Sequence, residues 1–157
     1  MRQITRDDLA ALSAAATASP RRRANLNIHE HLDDPVQRLA IAMEPDTLVL
    51  PHRHPHTWEL LFPLQGRFVV LSFDDAGQVT ERRTLGEQTA LIETPPGQWH
   101  AVLSLDAGGV IFEVKRGAYT PLTAADVRDW RQEDTPSQTR ELLDWYARAR
   151  AGDRFRD

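Results

Sequence analysis

Pro51-His52-Arg53-His54-Pro55-His56-Thr57-Trp58-Glu59 gathers three of the chain's six histidines into nine residues. On a β-strand, residues two apart project to the same side, so His52 and His54 can present their imidazoles to one cation. His56 shares that parity, and alternation alone leaves either neighbouring pair available. Pro55 favours the first pair, because proline donates nothing to a sheet and should end or bend the strand before His56. The two residues between His56 and Glu59 are also few for turning the chain back. Glu59 is therefore read at the start of the next strand, with His56 at the rim of the site, contacting ligand and not metal. His100, directly after the Pro95-Pro96-Gly97 turn, opens another strand. Three neutral imidazoles and one carboxylate form an N/O donor set suited to one divalent first-row ion such as Fe, Mn, Zn or Ni.

Outward from this stretch, residues 36–118 read as short strands separated by turns. Strands are expected at 38–43, 48–54, 59–64, 67–73, 79–85, 90–94, 99–105 and 110–115. Glu44-Pro45-Asp46, Gln65-Gly66, Asp74-Asp75-Ala76-Gly77, Pro95-Pro96-Gly97 and Asp106-Ala107-Gly108-Gly109 lie between them. Each supplies a fixed or positive φ for tight reversal. Many short strands at this spacing indicate an all-β sandwich or small barrel.

The flanks differ. In residues 1–35, Thr5 followed by Asp7 and Asp8 marks a helix start, and Leu9, Leu12 and Ala16 share one face of that helix. Arg23 to His29 then alternates with period two. Ala24, Leu26 and Ile28 form an apolar face, and Arg23, Asn25, Asn27 and His29 a polar one. In residues 119–157, Thr135-Pro136 makes an N-cap and first-turn pair. Leu142, Trp145, Tyr146 and Ala149 follow at helical spacing. Residues 153–157 are expected to fray. The division is thus an arm (1–35), a metal-binding barrel (36–118) and a helical tail (119–157).

Composition bounds the function. At 41% hydrophobic and 27% charged, the chain has the makeup of a folded domain and not of a disordered one. A net charge of −4 offers no broad basic surface to nucleic acid. With no cysteine, disulfides, thiolate zinc sites and thiol nucleophiles are excluded. The acids near the N-terminus argue against a signal peptide, and no run has transmembrane length. A cytoplasmic protein with no membrane partner is expected.

The spacings resemble the two cupin signatures. His52, His54, Glu59 and Gly66 match the first, of the form His-x-His, four residues, Glu, six residues, Gly. Pro95, Gly97 and His100 match the second, Pro-x-Gly-x-x-His. Asp46 and Thr89 stand where the pattern opens on glycine, and Ser104 stands where it closes on asparagine. None of these is a ligand. More narrowly, Ser19 to His29, Asp33 to Arg38, Pro51 to Glu59 and Phe112 to Tyr119 resemble the WbuC-type cupin metalloproteins. The resemblance implies a small double-stranded β-helix (jelly-roll) barrel with short N- and C-terminal helices. It implies metal held by His52, His54, Glu59 and His100, and an association with surface polysaccharide. It also implies a homodimer, to which the apolar faces of the terminal segments would contribute.

Further polar residues are candidates for the same cavity. Arg23, Asn25, Asn27, His29, His56 and Trp58 would bind a small-molecule ligand, a sugar or a carboxylate. Glu113 and Lys115 share a strand face, either as an exposed ion pair or as a catalytic acid/base pair beside the metal. Three functions follow: a sugar isomerase or epimerase, an Fe(II) dioxygenase, or a non-catalytic metal-dependent binding protein.

Overall fold

A strand buried on both faces reads as an unbroken apolar run, and Phe68 to Leu71 and Ala101 to Leu103 are such runs. The computed structural model, which describes residues 1–156, places both runs in the middle of a layered molecule. Its elements are α1 (Arg6–Ala18), β1 (Arg23–Asn27), β2 (Val36–Met43), β3 (Glu59–Gln65), β4 (Phe68–Phe73), β5 (Val79–Leu85), β6 (Ile92–Thr94), β7 (Trp99–Ser104), β8 (Gly109–Arg116) and α2 (Pro136–Arg148). They form two antiparallel sheets, in the orders β1-β2-β8-β3-β6 and β5-β4-β7.

Between the sheets, Leu39, Ile41 and Met43 of β2, Leu61 of β3 and Ile111 of β8 meet Phe68 and Val70 of β4 and Val102 of β7. The alternate residues face outward and are covered by the helices. On the larger sheet, Ala40, Ala42 and Val110 are wholly buried under Leu12 and Ala16 of α1. The two alanines leave room for the helix to lie close. On the smaller sheet, Val69, Leu71, Phe73, Trp99, Ala101 and Leu103 pack against Leu142, Leu143, Trp145 and Tyr146 of α2. The apolar faces of both terminal helices, on which the expectation of a dimer drew, are thus occupied within the chain. Among the described residues, no helix is long and apolar enough to cross a membrane.

Local signals set the helix ends. The Thr5 hydroxyl accepts from the Asp8 amide at 3.2 Å, and the Asp8 carboxylate accepts from the Thr5 amide at 2.7 Å, a reciprocal capping box. Thr135 accepts from the Gln138 amide at 3.3 Å, with Pro136 in the first turn of α2. At the far end of α2, Arg82 donates to the carbonyls of Tyr146, Ala147 and Ala149, groups that no helical amide can reach.

Three expectations are corrected. Residues 48–54 do not form a ladder strand; only His52 makes β-bridges, because Pro51 and Pro55 cannot donate. The first strand ends at Asn27, so Ile28 and His29 lie beyond it. Residues 153–156 are held: the Val79 amide donates to Asp153 O at 2.9 Å, and the Phe155 ring lies 5.5 Å from that of Trp145. Residue 157 falls outside the described residues.

Leu142 is fully buried where α2 meets the smaller sheet. Leu142→Ala should lower unfolding stability in urea by about 2–5 kcal/mol, the range for a leucine cavity in a rigid core. A loss below about 1 kcal/mol would mean α2 is not docked as described.

Candidate metal centre

The histidine-rich loop has no ladder of its own, so single contacts on two sides hold it. On one side His52 and His100 exchange backbone hydrogen bonds, His52 N to His100 O at 2.9 Å and His100 N to His52 O at 2.8 Å. Just before Pro55, the Gly97 amide donates to His54 O at 2.9 Å. Gly97 has φ +79°, a conformation that glycine adopts without strain, and this aims its amide back at the loop. On the other side lie residues 124–128. Arg53 N donates to Asp126 O at 3.0 Å, Arg128 N donates to Pro51 O at 2.8 Å, and the Arg53 guanidinium meets the Asp126 carboxylate at 3.0 Å. Arg53 and Arg128 also lie over the Trp99 ring, 4.7 and 4.0 Å from its centroid. The residue after His52 is thereby clamped to the residue before His100.

These restraints orient the imidazoles. His52 Nδ1 lies 2.9 Å from Leu50 O, and His100 Nδ1 lies 3.0 Å from Gln98 O. A carbonyl only accepts, so each Nδ1 carries the proton and each Nε2 keeps its lone pair for a ligand. One donor atom from each of His52, His54, Glu59 and His100 lies within 4.8 Å of the others. His54 Nε2 comes to 3.3 Å from Glu59 Oε1, and His100 Nε2 to 2.9 Å from Glu59 Oε2. Neither approach has the alignment of a hydrogen bond, and both nitrogens are buried without a hydrogen-bond partner. A buried lone pair without a donor is costly, and a cation is what would satisfy both at once. The donor set fits a divalent metal ion, which His52, His54, Glu59 and His100 would hold.

Glu59 is 3% exposed, and its neighbours compensate its charge. Across the ladder it pairs with Lys115, and Leu61 pairs with Glu113, so all three polar groups lie on the inner face. Lys115 Nζ lies 2.7 Å from Glu113 Oε1 and 3.7 Å from Glu59 Oε1. Glu113 and Lys115 are therefore neighbours on one strand in the interior, and not an exposed pair. Burial alone would raise the Glu59 carboxyl, but His100, His54 and Lys115 hold it well below the usual carboxylate range. Burial, with the Glu59 charge nearby, pushes Glu113 up to about 7, against the pull of Lys115. Burial lowers His52 to about 3, helped by repulsion from His100. His100 goes the other way: burial opposes its charge, but Glu59 raises it.

The remaining sequence candidates are dispersed. Arg23, Asn25 and Asn27 pair with Met43, Ile41 and Leu39, placing them on the inner face; Arg23 is half-buried, and both asparagines are exposed. His29 is buried elsewhere. Its Nδ1 lies 3.0 Å from both the amide and the carbonyl of Arg38, tying the exit of β1 to β2. His56 is exposed at the end of the loop, close enough to Asp126 for its charge to act there, and Trp58 is half-buried. The clamp formed by Arg53, Asp126 and Arg128 had no sequence signal, because it joins residues more than seventy positions apart.

Substituting His52, His54 or His100 by Ala should abolish stoichiometric metal binding, measured by elemental analysis of the purified proteins. His56→Ala should retain it. Asp126→Ala, which frees the Arg53 clamp, should weaken metal affinity by about tenfold, as loss of groups supporting a ligand commonly does. Full occupancy in His52→Ala contradicts the assignment.

Proton competition sets the pH dependence. A metal must displace any proton on Nε2, and His100, with its raised pKa, holds one at higher pH than His52 does. Affinity should therefore fall from above pH 6.5 as the pH is lowered, by about tenfold per pH unit for each proton displaced. Chelator competition between pH 8 and 5 measures this. A flat profile would show that His100 is not a ligand.

Similarity to known proteins agrees with the fold. KdgF from Halomonas sp. superposes with a TM-score of 0.52 at 15% identity, over 64% of this chain and 83% of that one. TT1209 from Thermus thermophilus gives 0.51 at 18% identity, over 63% and 87%. Oxalate oxidase in complex with the substrate analogue glycolate gives 0.51 at 17% identity, over 67% and 55%. At such identities these likenesses speak to the fold alone, and the fold is that of a small cupin jelly-roll. No curated protein matches the sequence. A family model matches residues 4–85, from the start of α1 to the end of β5, taking in three of the four ligands and leaving His100 outside. With half the chain matched, this protein belongs to the family described as a domain of unknown function, DUF6016.

Proposed function

We propose that this protein is a metal-dependent enzyme of isomerase or epimerase type, acting on a sugar or sugar derivative. The WbuC-type resemblance supports surface polysaccharide metabolism as its setting. The observation that carries the reading is the Glu113–Lys115 pair, 2.7 Å apart, with Glu113 buried and Lys115 partly buried beside Glu59. A divalent ion held by the four ligands would supply a Lewis acid for a substrate carbonyl or hydroxyl.

The chain's own residues account for the proton. Glu113, with a pKa pushed up to about 7, is divided between its two protonation states at neutral pH. Such a group can remove a proton from carbon and return one to the neighbouring atom without a large energetic cost in either direction. Lys115, raised by Glu113 and Glu59 despite burial, stays an ammonium and steadies both carboxylates. Glu59 is held too low to take part as a base, which leaves it free to ligate. The two glutamates thus have separate roles, set by their neighbours and not by their chemistry.

The test is solvent exchange. Metal-loaded protein incubated in D2O with aldose and ketose phosphates and sugar nucleotides should place deuterium on the carbon next to the carbonyl, followed by NMR. Glu113→Gln should lose at least about a hundredfold in exchange rate, the usual worth of a general base, while keeping its metal. Oxygen consumption by the Fe(II) form with no exchange would point to a dioxygenase. Ligand-dependent stabilisation with no product would point to a binding protein.

A further inference from the structure

Among the described residues, Arg23 is the one strong cation on the inner face of the larger sheet that the metal centre does not use. Its partner across the ladder is Met43, and it lies on the same face as Asn25 and Asn27. The exposure of the two asparagines shows that the smaller sheet does not cover this part of β1, so this polar face is open to solvent. Arg23 itself is half-buried, and among the described residues no carboxylate reaches ion-pair distance from its guanidinium. Its side chain makes no hydrogen bond among those residues, in contrast to Arg22, Arg53, Arg67 and Arg131, each of which grips an aspartate. Yet it is close enough to Glu113, Glu59 and Lys115 for their charges to act on one another. The Arg23 guanidinium keeps its charge and, with no partner in the protein among the described residues, is free to receive an anion.

Charge balance gives the same answer. Arg23 and Lys115 offset Glu59 and Glu113, and the ligating imidazoles are neutral. Adding a divalent cation leaves the site with at least two uncompensated positive charges, more when Glu113 is protonated, so the complementary ligand is an anion. Guanidinium geometry favours a flat, two-oxygen group, and the asparagine amides beside it suit hydroxyls.

We propose that Arg23 is a specificity-determining residue, and that the ligand of this cavity is an organic acid whose carboxylate it binds while hydroxyl or carbonyl oxygens face the metal and Asn25 and Asn27. The proposal rests on the metal-centre reading and refines the substrate from a sugar derivative to an acidic one.

The test uses the full chain loaded with Zn(II), with metal content measured first. Calorimetry then compares glycolate, lactate and D-glucuronate with their neutral counterparts ethylene glycol, propane-1,2-diol and D-glucose. At least one acid should bind about tenfold or more tightly than its neutral partner, and Arg23→Gln should remove that preference with zinc content unchanged. Arg23→Lys, which keeps the charge and loses the fork, should recover only part of it, and this variant also covers a poorly folding Arg23→Gln. Acids that bind no better than neutral partners, or equally to both variants and wild type, overturn the proposal. Absence of zinc from the wild-type protein is a different failure. It removes the metal centre itself, and the assignment of Arg23 with it.

Discussion

Glu59 is a carboxylate held almost out of water, and the surrounding structure makes that tolerable. Moving an ionised group into a protein interior costs several kcal/mol unless charges and donors receive it (order of magnitude). Here the receivers come from three separate stretches of chain. His54 arrives from the proline-bounded loop, His100 from β7 and Lys115 from β8. Each must be in place for the others to be worth having. The reciprocal backbone bonds between His52 and His100 do this for the loop, since they register a segment without a ladder against β7, which is laddered to β4.

The layered fold serves this arrangement. Strands β4 and β7 are buried on both faces, so the platform carrying His100 is anchored by core on one side and α2 on the other. The larger sheet is backed by α1 and extends beyond the smaller one. That overhang leaves one polar strand face, with Arg23, Asn25 and Asn27, beside the buried donor cluster. A rigid interior site and an open polar approach follow from one asymmetry, five strands against three.

What could be read in the sequence was what depends on neighbours in sequence. The four clustered donors were legible because three lie within eight residues and the fourth follows a Pro-Pro-Gly turn. Thr5 with Asp8, and Thr135 with Pro136, announced their helices because capping is local. Alternation placed Ala24 and Leu26 on the covered face of β1. Features set by distant contacts were not legible. Alternation predicted a strand at 48–54, but the prolines leave the loop to be held one residue at a time. Glu113 and Lys115 read more readily as a surface pair, because only the pairing of β3 with β8 brings them beside Glu59. The 124–128 segment and the docked tail near Asp153 had no pattern to betray them.

The proposed chemistry depends on one divalent ion bound among His52, His54, Glu59 and His100. Crystals grown with Zn(II), with diffraction recorded on both sides of the zinc absorption edge, test it directly. The account predicts a single anomalous peak about 2.0–2.2 Å from Nε2 of His52, His54 and His100 and from an oxygen of Glu59. A peak coordinated by His56, or no peak at this position in a protein shown to carry zinc, would contradict it.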